Sequence, residues 1–311
     1  MTAAAVRAPS STGRSVDDLP PEHLVLGRAS SENFPVASKL LPAARRFDLL
    51  ALYGWARLVD QLGDDYPGDR LAALDEVEAQ LRAALSGHTT PGVHPLVQRM
   101  ASTARRLDLP VQPLFDLVQA NRQDQLVRRY STFEDLVGYC RLSADPVGRT
   151  VLAIFGVATP ERVRWSDSIC TGLQLTEHWQ DVAEDALMGR VYIPLSDMAR
   201  FGVEVEDLLP PPTGCSHQHG PGQSGKASAQ LRALMAFEVT RARWMLDKGA
   251  PLVRSLGGRL RFAVAGFLAG GYAALDAIAA SDFNPFAGPM APSRRSFAVH
   301  LARLVIRSGL A

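Results

Sequence analysis

Cysteine is scarce in this 311-residue chain: there are three, Cys140, Cys170 and Cys215, widely spaced and odd in number. That pattern suits reduced thiols in a cytoplasmic protein better than a disulfide framework. A surplus of one charge is also missing. With a net charge of +1 and no basic–aromatic stripe, the chain lacks the footprint of a nucleic-acid binder. The opening stretch MTAAAVRAPSSTGRSVDDLPPEHLVLG lacks the roughly 7–15-residue apolar run of a secretion signal, and residues 1–29 are expected to form a loose, disordered leader. No alternating apolar–polar pattern marks a strand, and no Gly-rich dinucleotide fingerprint follows one.

What the chain has in abundance is apolar sequence, 47% of residues, enough for a large core in one domain spanning 30–300 followed by a tail at 301–311. Apolar residues recur at helical spacing from Ala43 to Leu62 (Leu49, Leu52, Tyr53, Ala56, Val59). Similar runs fill 71–86, 96–106, 111–128, 133–156, 164–187, 228–256 and 259–280. Pro and Gly mark the joints, as in YPGD at 66–69 and ATP at 158–160. The expectation is an all-α bundle whose facing walls leave a central cavity that inward side chains can furnish. The run FAVAGFLAGGYAALDAIAA at 262–280 approaches membrane-spanning length, but its Ala, Gly and Asp276 point to a buried bundle helix. The Pro-, Gly- and Ser-rich segment 209–228 reads as a mobile surface loop. Its Cys215, His217 and His219 lack the partners that a closed zinc site requires.

Acidic residues concentrate in two places. In GLQLTEHWQDVAEDALMGRVYIP, Glu177, Asp181 and Asp185 share one helical face with Glu184 at its margin, among the apolar neighbours Ile169, Leu173, Leu175, Trp179 and Val182. Like charges on a packed face call for cations. About 120 residues earlier, YGWARLVDQLGDD places Asp60 and Asp64 four residues apart, preceded by Tyr53 and Arg57. Two such ridges facing each other suit Mg²⁺, which takes a few carboxylates, several waters and substrate phosphates. Arg57, Arg190 and Tyr192 are placed to hold phosphate oxygens that the metal leaves free. A di-iron bundle would need two Glu-x-x-His pairs, and none occurs; His178 directly follows Glu177 and is expected off the ridge as a core or boundary residue.

These residues resemble the head-to-head isoprenoid synthases, which include squalene and phytoene synthases, from about Ser30 to Ala280. The family's first acidic motif, YxxxRxxDxxxD, is matched by Tyr53, Arg57, Asp60 and Asp64. Its second, QLxNxxxDxxxD with a following RxY, is matched by Gln174, Leu175, Glu177, Asp181, Asp185, Arg190 and Tyr192. YCRLSADPVGR from Tyr139 is similar to a third segment, whose Tyr and small residues line the reaction cavity. ENFPVASKLLP at 32–42, with SADPVGR and RVYIPL, resembles the bacterial hopanoid-pathway branch that converts presqualene diphosphate to hydroxysqualene. Two departures stand out: Glu177 replaces the family's usual Asn, and Gln61 replaces a second Asp. Near Tyr272, the position of a family cavity tyrosine falls on Gly271.

The resemblance implies a Mg²⁺-dependent enzyme acting on a prenyl diphosphate, presqualene or farnesyl diphosphate. Asp60, Asp64, Glu177, Asp181 and Asp185 are its implied metal ligands; Tyr53, Arg57, Tyr139, Gln174, Arg190 and Tyr192 are its implied catalytic residues. Diphosphate departure leaves a carbocation, which Phe34, Leu142, Val147, Leu152, Leu173 and Phe267 would shield from water. Tyr139 and Ser143 are candidates for holding the water that yields hydroxysqualene. Squalene, presqualene diphosphate or phytoene synthesis remains open, as does a silent bundle that binds lipid or a partner. The basic, amphipathic SRRSFAVHLARLVIRSGLA offers either helix packing or contact with anionic lipid at the inner membrane face.

Overall fold

In a computed structural model that describes residues 19–27, 43–88, 91–210 and 226–309, the chain is all-α. The helices are α1 (Glu22–Gly27), α2 (Ala43–Asp64), α3 (Arg70–Leu85), α4 (Pro95–Leu107), α5 (Gln112–Leu126), α6 (Phe133–Ser143) and α7 (Asp145–Ile154). They continue with α8 (Pro160–Gln180), α9 (Val182–Leu187), α10 (Leu195–Phe201), α11 (Ala229–Gly249), α12 (Pro251–Ser255), α13 (Gly258–Ala280) and α14 (Arg294–Gly309). Their starts follow from short polar caps. Asp69, Thr132, Thr159 and Ser228 each accept a hydrogen bond from a first-turn backbone N–H of α3, α6, α8 and α11.

Three expected helices are divided. Proline lacks an N–H and is tolerated in a helix's first turn. Pro146 and Pro251 therefore open α7 and α12, splitting 133–156 and 228–256. The 164–187 run stops at Asp181 (φ −104°, ψ 11°) with no proline or glycine to mark it. The Asp185 N–H still donates to the Asp181 carbonyl at 2.8 Å, so the acidic spacing survives the break. The segment at 195–201 forms α10, an element the periodicity did not single out.

Two ends also differ from expectation. Part of the supposed leader is docked: Leu19 and Val25 are buried, Glu22 pairs with Arg99 at 2.7 Å, and His94 Nε2 donates to the Pro20 carbonyl at 2.9 Å. The supposed tail from 301 continues α14, whose Leu301, Leu304 and Val305 pack on the core. The expected mobile loop at 209–228, with Cys215, His217 and His219, lies outside the described residues from 211 to 225.

The core has two lobes. Apolar side chains of α1–α5 dominate one; α6 and α8–α13 dominate the other, and Val151 of α7 and Phe155 just after it touch both. Helix α2 packs on α3, α4, α5 and α7, whereas α8 packs on α6, α7, α11, α12 and α13. Helices α2 and α8 share no substantial interface among the described residues, so the two acidic segments sit on either side of a gap. Helix α13 is long and apolar enough to cross a membrane by length and composition, but here it packs against α8, α11 and α14.

The α8–α11 contact depends on missing side chains. A Cβ at Gly249 would stand 2.6 Å from the Trp165 carbonyl oxygen and collide with Ile169; one at Gly172 would stand 2.7 Å from Leu246. Backbone in such a contact has nowhere to yield. Gly249→Ala is expected to destabilise the fold by ~1–3 kcal/mol, measured by urea unfolding, despite alanine's better helix propensity.

Candidate active site

Backbone pairing brings the second motif to its place. Just past α5, Arg128 and Tyr130 carbonyls accept from Val191 N–H (2.8 Å) and Leu195 N–H (2.9 Å), in a short parallel bridge between Arg129 and Val191. This fixes Arg190 and Tyr192 beside the end of α5. From there Arg190 Nη1 donates to Asp64 Oδ1 at 3.0 Å, so the RxY segment touches the last turn of α2, 126 residues earlier in the chain. The two motifs face each other.

The electrostatics of the acids follow from that facing. Asp60 is reached by solvent, yet surrounding protein pushes its carboxyl up to about 7; Asp64 and Glu177 add repulsion, while Asn121 and Arg57 oppose it. Solvent access combined with desolvation places Asp60 on the wall of a recess rather than on an outer face. Asp181 is pushed up to about 6 by burial, then by Glu177, Asp185 and Glu184. Glu177 is thus the charge felt by both clusters. Neither Glu177 nor Asp181 makes a side-chain hydrogen bond or ion pair among the described residues, and the buried Arg190 Nε also lacks a partner there.

Behind the acids lies an aromatic cluster. His178 stacks on Tyr192 with ring centroids 3.7 Å apart, and Tyr130 and Tyr139 pack around the same ring at 5.8 Å. Gln174 Nε2 lies within hydrogen-bond distance of His178 Nε2 (3.3 Å), and the other ring nitrogen, Nδ1, lies 3.9 Å from Asp185 Oδ2. His178 is buried, as its place off the ridge required, but it supports the site rather than merely the core. Tyr53 is buried in the α2 lobe, and Arg57, half-buried, is close enough to lower the Asp60 carboxyl.

The residues present fit a divalent cation shared with a diphosphate. Burial and neighbouring acids raise the Asp60 and Asp181 carboxyls from the two sides, Glu177 and Asp181 have no side-chain partner among the described residues, and the Arg190 Nε between them is unpartnered there too. Among the described residues no three acidic, His or Cys groups converge to enclose an ion by themselves. A hard cation here would complete its shell with water and phosphate oxygens, as magnesium commonly does.

A profile of the family described as squalene/phytoene synthase matches residues 27–303. The chain belongs to the squalene/phytoene synthase family. A phytoene synthase of Arthrospira platensis is 33% identical over 228 residues, covering 68% of each chain. A hydroxysqualene synthase of Sinorhizobium fredii is 32% identical over 241 residues, 75% of this chain and 74% of the relative. The crystal structure of the squalene synthase HpnC from Alicyclobacillus acidocaldarius shares the fold with a TM-score of 0.73 at 37% identity, covering 88% of this chain and 100% of that one.

Within this squalene/phytoene synthase fold, two residues of α5 escaped the sequence reading. Asp124 is buried and accepts hydrogen bonds from Tyr139 (2.6 Å) and Tyr192 (3.3 Å). Burial raises its carboxyl, and the Tyr139 bond and Arg190 counter that. Asn121 donates to Asp60 Oδ1 at 3.4 Å. The available signal was periodicity: Asn121, Asp124 and Gln125 continue the buried stripe of Leu114, Leu117 and Val118, so polar groups occupy a core face.

Of the expected lining, Leu152 is buried, Leu142, Val147, Leu173 and Phe267 are half-buried, and Phe34 lies outside the described residues. Ser143 sits one turn beyond Tyr139 on α6, and its buried hydroxyl has no partner among the described residues. Tyr272 turns away from the acids, donating to Asp247 at 2.6 Å and stacking on His300; Gly271 instead abuts Leu173 and Leu246.

Asn121 reaches Asp60 only because Gly63 has no side chain. A Cβ there would lie 2.9 Å from Asn121 Cγ and collide with its amide oxygen. Gly63→Ala is expected to turn Asn121 away and slow turnover roughly tenfold, the worth of one hydrogen bond of about 1.4 kcal/mol, at unchanged helicity. Steady-state kinetics with circular dichroism check it.

Proposed function

We propose that this squalene/phytoene synthase family member converts presqualene diphosphate to hydroxysqualene in a magnesium-dependent reaction. The observation that carries the reading is the Arg190–Asp64 contact, which joins the two acidic motifs across the gap where a diphosphate would lie. Asp60, Asp64, Glu177, Asp181 and Asp185 are assigned to hold magnesium. When bound, it supplies Lewis-acid stabilisation of the departing diphosphate, worth several kcal/mol.

The chain's own groups do the rest. Arg57 and Arg190 bind phosphate oxygens, Arg190 through the donors that Asp64 leaves free. Tyr192, held by Asp124 and the His178 ring, fixes the RxY segment, and Gln174 orients that ring. Tyr53 backs the first motif on α2. Apolar walls keep bulk water from the cation left after departure, and Tyr139 with the Ser143 hydroxyl, which has no partner among the described residues, is assigned to hold the one attacking water. We assign the enzyme to the cytoplasm, with α14, which packs on the core and has no acidic residue, as the face that would meet an anionic membrane.

Phytoene synthesis is the second reading, favoured by the Arthrospira platensis relative at similar identity. Incubation with presqualene, farnesyl and geranylgeranyl diphosphate in separate reactions, with magnesium and no reductant, separates the two. Hydroxysqualene from presqualene diphosphate supports the first. Phytoene from geranylgeranyl diphosphate, with presqualene diphosphate untouched, overturns it.

A further inference from the structure

A cavity of about 550 Å³ opens between α11, α12, α13 and α14 and shares no residue with the acidic site. That volume is typical of a small-ligand pocket. Its polar wall consists of Arg243, Arg254, Arg303, His300, Tyr272 and a single acid, Asp247.

Most of these groups are already partnered. Asp276, beside the wall, accepts from Arg243 (2.7 Å), His300 (2.8 Å) and Ser296; burial works against its ionisation, but the three donors hold its carboxyl at about 2. Asp276 is therefore ionised and matched to Arg243. Tyr272 donates to Asp247 and stacks on His300 at 5.0 Å. Two cations remain. Arg254 on α12 and Arg303 on α14 line the same cavity from different helices, and neither makes a hydrogen bond or ion pair among the described residues. With Asp247 and Asp276 both counted against the three arginines, one positive charge is in excess.

We propose that this cavity is a binding site for a phosphate-type anion, gripped by Arg254 and Arg303. Two like charges drawn to one cavity repel unless an anion is shared between them, and guanidinium forks match phosphate oxygens bidentately. Such a ligand would tie α12 to the C-terminal helix. The chemistry fits free phosphate or diphosphate. It equally fits the headgroup of a phosphatidic acid, since α14 exposes Phe297, Val299 and Ile306 near its arginines. The inference does not rest on the proposed reaction.

The test uses the full chain with EDTA, so that the acidic site holds no magnesium. Calorimetric titration with inorganic phosphate and diphosphate is paired with sedimentation on phosphatidylcholine vesicles with and without phosphatidic acid. Hydrogen exchange of 294–306 reports whether the ligand orders α14. Arg254→Gln/Arg303→Gln should weaken binding at least tenfold, about one charge-assisted hydrogen bond, and abolish the added protection. Arg294→Gln/Arg295→Gln, with the same change in net charge outside the cavity, should bind the free anions as wild type does.

Binding of free anions identifies a soluble ligand, and binding only to phosphatidic acid vesicles identifies a headgroup; either upholds the site if the cavity variant loses it. The proposal is overturned if no probe binds, or if both double variants behave alike. All four arginines are exposed, and thermal melts verify that each variant is folded.

Discussion

Asp60→Asn is expected to slow turnover by about 10³-fold, some 4 kcal/mol of lost leaving-group stabilisation, while making the metal-free protein more stable at neutral pH. The two effects share one cause. Asp60 sits in a recess beside Asp64 and Glu177, and its carboxyl is pushed up to about 7 from 3.8. The folded chain therefore holds a proton that the unfolded chain releases between about pH 4 and 7. Stability falls as pH rises through that window, and the whole penalty is present above it. Below about pH 4 both states are protonated and the penalty vanishes.

Asparagine has no charge to desolvate and still accepts from Asn121, so the substitution removes this part of the slope. Asp145 (about 7), Asp181 (about 6) and Glu238 (about 8) have the same sign, and some slope therefore remains. Urea unfolding in EDTA at pH 5 and pH 8 reads the effect as a smaller loss in the variant than in wild type. Magnesium with diphosphate should then stabilise wild type at pH 8 and have little effect on Asp60→Asn. Equal pH dependence in the two proteins, or near-normal turnover in the variant, would remove Asp60 from its assigned role.

The helices and the two acidic motifs were legible because both are local patterns. Apolar residues recur every three or four positions, and Asp60/Asp64 and Glu177/Asp181/Asp185 repeat every four. That the motifs face each other rests on long-range contacts, Arg190 with Asp64 and the pairing of 128–131 with 191–196, which spacing within one segment does not encode. Asp124 was overlooked for the same reason. Taken alone it is one polar residue in a mixed helix, and its importance comes from Tyr139 and Tyr192, 15 and 68 residues away. The break at Asp181 carries no local mark. The breaks at Pro146 and Pro251 did, in residues that forbid an interior helix position. Tyr272 shows the converse: a one-residue offset on α13 turns a side chain by about 100°, from the Leu173–Leu246 contact that Gly271 faces to the cavity beside α14.

Asp124 carries the second large effect. Asp124→Leu removes the acceptor shared by two buried hydroxyls, each costing about 1–3 kcal/mol when left unpaired. Tyr192 then keeps its ring contacts with His178, Tyr130 and Tyr139 but loses the hydrogen bond that fixes its hydroxyl, and Arg190, two residues before it, is held beside Asp64 by the backbone pairing of Val191 alone. Misplacement of a phosphate-binding group by about 1 Å is enough for a ~10²-fold fall in kcat. Asp124→Asn retains one acceptor oxygen at nearly the same shape and is expected to fall between wild type and Leu. A merely structural role would lower the folded fraction and leave kcat per folded molecule unchanged. A positioning role lowers kcat at full folding, raises the magnesium needed for half-maximal rate, and is partly rescued by Asn. Rates normalised to the folded fraction from unfolding curves decide between them; unchanged normalised kcat in Asp124→Leu would show that the tyrosines and Arg190 hold their places without it.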